Sequence, residues 1–399
     1  MAQTLGGLLE LHADRVRARR WKATDVDLGT VMEKLREQEM ALREHDAEDQ
    51  DHPHPRNCVL NLVVGLKDQH RTTACDTMVG KLAAAHPLRA ILVRLHADEG
   101  PSRLDAEITT EAHQLLHGFP VQREQILLHV RGEAGQHLAS LVGPLLVPDV
   151  PTYLWWSGRE HLDEGKVRDA LRFTDVLIVE SLHFDRPAAG LLELAELVAD
   201  PDAPVGVSDF RWARLWPWRD AISQFFAPAG RLALLRGLRE VEISAAGTDP
   251  DSRAGAALLA GWLANALGWR VRDVREADGG GAAGGTQAVA GVEGADPVRL
   301  GLRSVANERL DRGDLLSVRL AGRSGRRSYS LVVQRHPEGE RHVHVTIEMD
   351  DAPPLRQRLP LPEIAESDLL THALWSGRRD RVFAGALRGA RPLLEALAS

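Results

Sequence analysis

CVLNLVVGL, residues 58–66, and LRAILVRLH, residues 88–96, decide the fold class. Both are short apolar runs rich in Leu and Val, with none of the strict alternation of a half-solvated strand, so they read as strands buried on both faces. Thr72 to Ala85, between them, reads as a helix, and the three segments together form a βαβ unit in a sheet covered on both sides. Upstream, DLGTVMEKLREQEMALRE (residues 27–44) carries apolar residues at helical spacing, and HDAEDQDHPHPRN (residues 45–57) is a polar, proline-containing loop. Downstream, Leu104 to Thr110 and Gln125 to Val130 read as strands and Gln136 to Val142 as a helix. PTYLWW (residues 151–156) opens a strand, Glu164 to Phe173 is a helix, DVLIVES (residues 175–181) a strand, and Leu191 to Val198 a helix. This alternation predicts an α/β N-terminal layered domain over residues 1–230.

Residues 231–399 read differently. Leu238 to Ile243 is a strand, Ser252 to Leu267 a helix and WRVRDV (residues 269–274) a strand. ADGGGAAGGTQAVAGVEGADP (residues 277–297), which holds the Gly-rich loop at 279–285, has too little side chain to build a core and reads as a loop or mobile hairpin. VRLGLRS, LLSVRLAG, YSLVVQR and HVHVTIEM then mostly alternate apolar with polar residues, as antiparallel strands with one solvated face do. Ser367 to Trp375 and Asp380 to Leu397 close the chain as helices, the last broken near Pro392. This half is expected to be an α+β C-terminal domain with an antiparallel sheet.

Composition narrows the function. The 399 residues are 44% hydrophobic and 27% charged, enough for sizeable cores, and the net charge of −8 speaks against a general nucleic-acid binder. No apolar run reaches the length of a membrane helix, and the N-terminus has no signal-like core, so a cytoplasmic protein is expected, with no nucleic acid and no membrane among its partners. Cys58 and Cys75 form no CxxC pair and read as reduced, structural thiols.

Motifs for catalysis are absent: no P-loop, no dinucleotide fingerprint, no HExxH and no GxSxG. His342 and His344 share a strand face without a visible third ligand. His52 and His54, and the acid pairs Asp163–Glu164 and Asp350–Asp351, read as solvated. No catalytic, cofactor-binding or metal residue is therefore expected.

The remaining feature is VSDFRWARLWPWRDAISQFF, Val207 to Phe226, with three of the nine tryptophans and three arginines. Ser208 reads as a helix N-cap. Trp212, Leu215 and Trp216 fall on one face, Pro217 predicts a break, and Trp218, Ile222 and Phe225 line the next helix. The tryptophans can be core, or part of the cluster can be displayed, since Trp and Arg are enriched in protein interfaces. The arginines can alternatively hold phosphate. In PDVPTYLWWSG, Trp155 and Trp156 alternate across a strand, so one is expected in the core and the other toward a neighbour or groove.

Taken with LVGPLLVPDVPTYLWWSG (residues 141–158) and DVLIVES, this stretch makes the chain resemble the OpcA family, the glucose-6-phosphate dehydrogenase assembly proteins of bacteria. In that family a proline-containing approach leads into an LWW-like strand. An acidic residue later precedes a W-x-R-L-x-x-W-R-like segment, here Trp212, Arg214, Leu215, Trp218 and Arg219. The resemblance implies a non-catalytic partner of glucose-6-phosphate dehydrogenase that binds the enzyme, promotes its active oligomer and supports the oxidative pentose phosphate pathway and NADPH supply. No single-residue rule comes with it. Trp156, Arg211, Trp212, Arg214, Trp216, Trp218 and Arg219 are partner-binding candidates on physical grounds alone. The alternative is a sugar-phosphate-binding protein or enzyme with the Arg/Trp cluster as its phosphate site.

Overall fold

The buried apolar runs do form strands of one sheet. The structure, a computed structural model, describes residues 17–47, 58–66, 75, 77–82, 87–96, 101–114, 120–158, 162, 165–200, 205–277, 285–292, 296–336, 341–350, 352–375 and 380–399. Contacts divide the chain into two compact units, residues Met1–Gly158 with Asp163–Ile178, and Arg159–Leu162 with Val179–Ser399. Residues 179–230, which the sequence reading grouped with the N-terminal part, fall in the second unit.

The first unit carries β1 (Arg17–Ala23), α1 (Leu28–Ala47), β2 (Leu60–Leu66), β3 (Leu88–Leu95), β4 (Arg103–Gln114), β5 (Pro120–Arg131), β6 (Thr152–Trp156), α2 (Gly165–Leu171) and β7 (Val176–Val179). Within it the strands lie in the order β1-β4-β5-β3-β2-β6-β7. From β5 to β7 every pairing is parallel, whereas β4 pairs antiparallel with both β1 and β5. The chain thus winds outward in both directions from β2, a doubly wound arrangement. Residues 77–82, between β2 and β3, are helical, as the βαβ reading requires.

Burial on both faces demands that polar groups in these strands be paired. Asn61, fully buried in β2, donates through Nδ2 to the Val147 carbonyl (3.0 Å) and Thr152 Oγ1 (3.2 Å), and its Oδ1 accepts from the Val147 amide (2.9 Å). Buried Arg89 in β3 donates through Nε to Glu124 Oε2 (2.7 Å) and through Nη1 to the Leu145 carbonyl (2.7 Å), and also pairs with Glu39.

The second unit carries α3 (Pro187–Ala199), β8 (Gly206–Asp209), α4 (Phe210–Arg214), α5 (Trp216–Phe226), β9 (Leu238–Ala246), α6 (Ala254–Leu267), β10 (Arg270–Ala277), β11 (Gly285–Gly291), β12 (Val298–Val305), β13 (Leu315–Ser324), β14 (Arg327–Arg335), β15 (His342–Met349), β16 (Ala352–Pro360), α7 (Glu366–Trp375) and α8 (Arg381–Ala398). Its eight-stranded sheet runs β10-β11-β12-β9-β13-β14-β15-β16. β9 and β12 pair parallel and all other neighbours antiparallel, so the sheet is mixed, not the antiparallel sheet expected from sequence. The cause is the route between them: β9 leads through α6 and the β10–β11 hairpin before β12 returns beside it, and such a crossover brings the strand back in the same direction. β12 alternates buried and exposed residues along its length, and α6 packs against β9 and β12. Glycines let α6 and α8 meet at backbone distance. A Cβ at Gly261 would overlap the Ala386 carbonyl and Ala390, and one at Gly389 the Gly261 carbonyl.

Other expectations needed correction. α8 is continuous through Pro392, which lies half-buried within the helix rather than breaking it. β1, β11 and β16 were not foreseen. His52, His54, Asp163, Glu164, Asp351, residues 279–284 of the Gly-rich loop and half of Thr72–Ala85 lie outside the described residues, while Gly285 opens β11.

Candidate functional site

The Trp/Arg stretch begins where β8 ends. Asp209, not Ser208, caps α4: Ser208 is still in strand conformation, and the Asp209 carboxylate accepts the Arg211 amide (3.0 Å). The same carboxylate accepts the Ser181 amide (3.0 Å) and hydroxyl (2.7 Å). Burial raises its pKa, against those hydrogen bonds and the charge of Arg211.

α4 ends at Arg214 with Leu215 as its C-cap, and Trp216 already opens α5 with Pro217 in its first turn, so the break falls at Leu215, one residue before the Trp216 expected from sequence. The break there separates Trp212 from Trp216, which a single helix would have placed on one face. Trp212 is buried, whereas Trp216 is 55% exposed. Indole Nε1 of Trp212 donates to Asp380 Oδ2 (2.9 Å), and Asp380 in turn caps α8 by accepting the amides of Val382 (2.8 Å) and Phe383 (2.9 Å). Arg219 lies over the Trp212 ring with Cζ 3.5 Å from its centroid, and donates to the Trp212 carbonyl (3.2 Å). Burial pushes the Arg219 pKa down to about 10, with Asp380 opposing. Trp218 is buried with Ile222 and Phe225. In the first unit Trp155 and Trp156 are both buried, because that sheet is covered on both faces. Trp156 stacks so closely on β2 that a Cβ at Gly65 would lie 2.5 Å from its ring.

Arg211 and Arg214 diverge from one helix into a polar cavity of about 460 Å³, also lined by Glu180, His183, Leu215, Trp218, Asp311, Asp314, Arg335, Arg341, Glu363 and Glu366. Arg211 is only 3% exposed; its Nη1 reaches Asp314 Oδ1 at 3.4 Å, and its Nε and Nη2 have no partner. Gly255 leaves room for the guanidinium, which any Cβ there would strike. Arg214 donates through Nη2 to Glu180 Oε2 (3.2 Å) and through Nη1 to the Ile364 carbonyl (3.1 Å). Arg335 approaches Asp314 Oδ2 at 3.8 Å and donates through Nε to the Leu315 carbonyl (3.2 Å). Burial lowers the Arg335 pKa, and Arg211 adds repulsion that Asp314 opposes. Burial, with the charge of Asp209, lifts Glu180 to about 7 despite Arg214 and Arg211. Sequence reasoning named Arg211 and Arg214 but missed Glu180, Asp314 and Arg335. Glu180 carried a signal, a carboxylate directly after the apolar run VLIV; the other two carried none.

Among the described residues no group of three or more His, Cys, Asp or Glu could hold a metal, and no helix is long and apolar enough to cross a membrane. Neither Cys58 nor Cys75 forms a disulfide, and burial raises the Cys58 thiol pKa.

Fold and site thus define a two-unit α/β protein with a mixed-sheet second unit and an arginine–carboxylate cavity beneath a Trp-rich helix pair. The sequence profile of the glucose-6-phosphate dehydrogenase subunit N-terminal domain matches residues 79–196, and that of its C-terminal domain residues 205–387. The chain belongs to the OpcA family. It is 30% identical over 146 residues to the OxPP cycle protein OpcA of Synechocystis sp., a match covering 37% of this chain and 30% of that one. Over 147 residues it is 31% identical to the OpcA of Nostoc punctiforme, again 37% of this chain and 30% of the relative. The alignments thus span about a third of the curated relatives' length. Solved structures that superpose include an oxidoreductase from Sinorhizobium meliloti, with TM-score 0.47 and 11% identity over 85% of this chain and 96% of that one. The Synechocystis biliverdin reductase gives TM-score 0.44 and 10% identity over 85% and 98%. Likeness at that level carries no argument about activity.

Proposed function

We propose that this chain is a non-catalytic, cytosolic partner of glucose-6-phosphate dehydrogenase that binds the enzyme, favours its active oligomer and so supports the oxidative pentose phosphate pathway. Family membership supports the partner. The absence of a nucleotide grip supports a non-catalytic role: in a doubly wound sheet the turn after the first central strand carries the glycines that admit a pyrophosphate. Here the sequence that follows β2, KDQHRTTA at residues 67–74, contains no glycine. The observation that carries the contact is the display of Trp216 at the head of α5 while Trp156, Trp212 and Trp218 are buried. A large, stiff indole held outward by a proline break is a suitable interface anchor, and the half-exposed Arg214 and Arg219 beside it can complete a rim. Activation then works by population shift. The active oligomer must bind this chain more tightly than the inactive form, and a tenfold preference corresponds to about 1.4 kcal/mol.

Trp216→Ala tests this. The variant is expected to melt like the parent, since little packing is lost. Its affinity for the dehydrogenase should fall by ~2 kcal/mol, roughly thirtyfold, in a titration read by dehydrogenase activity. Full activation at parental concentrations would move the contact elsewhere.

A further inference from the structure

The cavity beside α4 has the composition of a ligand site, and of its lining only Arg214 also has a part in the proposed dehydrogenase contact. We propose that it binds a phosphate monoester of a polyhydroxylated carbon chain, with the phosphate held by Arg211, Arg214 and Arg335. The inference does not rest on the partner.

The volume, about 460 Å³, suits a ligand of sugar-phosphate size. Arginines reach the cavity from two elements, Arg211 and Arg214 at i and i+3 of α4 and Arg335 at the end of β14. Arg211 and Arg335 share one carboxylate, Asp314, at 3.4 and 3.8 Å, distances too long for a tight fork. Arg214 shares its charge with Glu180, which is itself deeply buried next to Asp209. The inner wall sets three arginines against two lining carboxylates, Glu180 and Asp314, and leaves Nε and Nη2 of the buried Arg211 without a partner; keeping guanidinium groups buried and loosely paired is costly unless an anion completes them. A phosphate dianion offers the tetrahedral set of acceptors that guanidinium forks recognise bidentately. The rest of the lining selects what the phosphate is attached to. Asp311, Glu363 and Glu366 supply acceptors for hydroxyl groups, and Leu215, Trp218 and Leu361 supply a wall for C–H faces. A carboxylate-rich mouth disfavours a second phosphate, so a monophosphate is the class that fits.

Calorimetric titration of the full chain with ribose 5-phosphate, ribose and inorganic phosphate decides the matter. Saturable binding is expected for ribose 5-phosphate, roughly tenfold tighter than for inorganic phosphate, and none for ribose. Arg335→Gln should weaken ribose 5-phosphate at least tenfold. Arg341→Gln, at the exposed rim and safe for folding, should weaken it about threefold, and Arg319→Gln, on the solvated face of β13, should leave it unchanged. No saturation by ribose 5-phosphate at about 10 mM, or parental affinity in both the Arg335 and Arg341 variants, would overturn the site. Inorganic phosphate binding as tightly as ribose 5-phosphate would overturn the polyol part.

Discussion

Glu180 shows how a single side chain can set a pH dependence. In the folded chain it keeps its proton to about pH 7, against a reference value of 4.5, because burial and Asp209 outweigh Arg214 and Arg211. Between those values the unfolded chain has released a proton that the folded chain retains, so stability falls as pH rises through that window and levels off above it. Glu180→Gln cannot ionise, so it should match the parent near pH 5 and exceed it by roughly 1–3 kcal/mol at pH 8. Urea unfolding at the two pH values measures the difference, and an equal offset at both would show that Glu180 does not titrate in this range. At this scale the sequence was partly legible. A run such as VLIV announces burial, and a carboxylate at its end announces a constrained group. Arg214, the partner of that group, lies 34 residues on, and the other charges of the cavity, Asp314 and Arg335, lie further still, where no local spacing marks them.

Among the elements, the strands with a hydrophobic signature were readable and those without one were not. β2, β3, β6 and β7 are apolar because both faces are covered, and period and length identified them. β16, APPLRQRLP, is exposed along nearly its whole length on the edge of its sheet, where prolines are tolerated and no alternation is needed. β11 lies among glycines and alanines and is ordered by pairing on both sides rather than by its own side chains. Helix ends depended on geometry beyond the cap residues: Ser208 looked the better cap, but the strand runs one residue further and Asp209 takes the role. The α6–α8 crossing offers a test at this scale. Its neighbours are backbone atoms, which cannot swing aside, so Gly261→Val should cost ~3 kcal/mol, the upper end of overpacking penalties. Gly268→Ala, at the left-handed residue ending α6 with open space around it, should cost about 1 kcal/mol through backbone strain alone. Thermal melts compare the two, and equal losses would mean that α6 and α8 can part without penalty.

For the whole molecule, the division of the chain was hard to read because residues 179–230 continue the alternation of helix and strand without a change in composition. What ties the Trp-rich stretch to the second unit is remote pairing: Trp212 with Asp380 and Arg211 with Asp314. The resemblance in that stretch did identify the family, since motifs preserve order even where their packing partners lie far away. The display of Trp216 has a further consequence, in spectroscopy. Indoles in water emit at longer wavelength than indoles in a dry interior, and dissolved iodide reaches only the former. Trp155, Trp156, Trp212 and Trp218 are shielded, while Trp216 and Trp375 stand open at 55% and 68% exposure. The chain therefore carries a built-in optical label at the head of α5. Trp216→Phe should remove part of the iodide-quenchable, red-edge emission and leave the blue component in place. Any macromolecule that seats on that helix would report its arrival as a blue shift that this variant lacks.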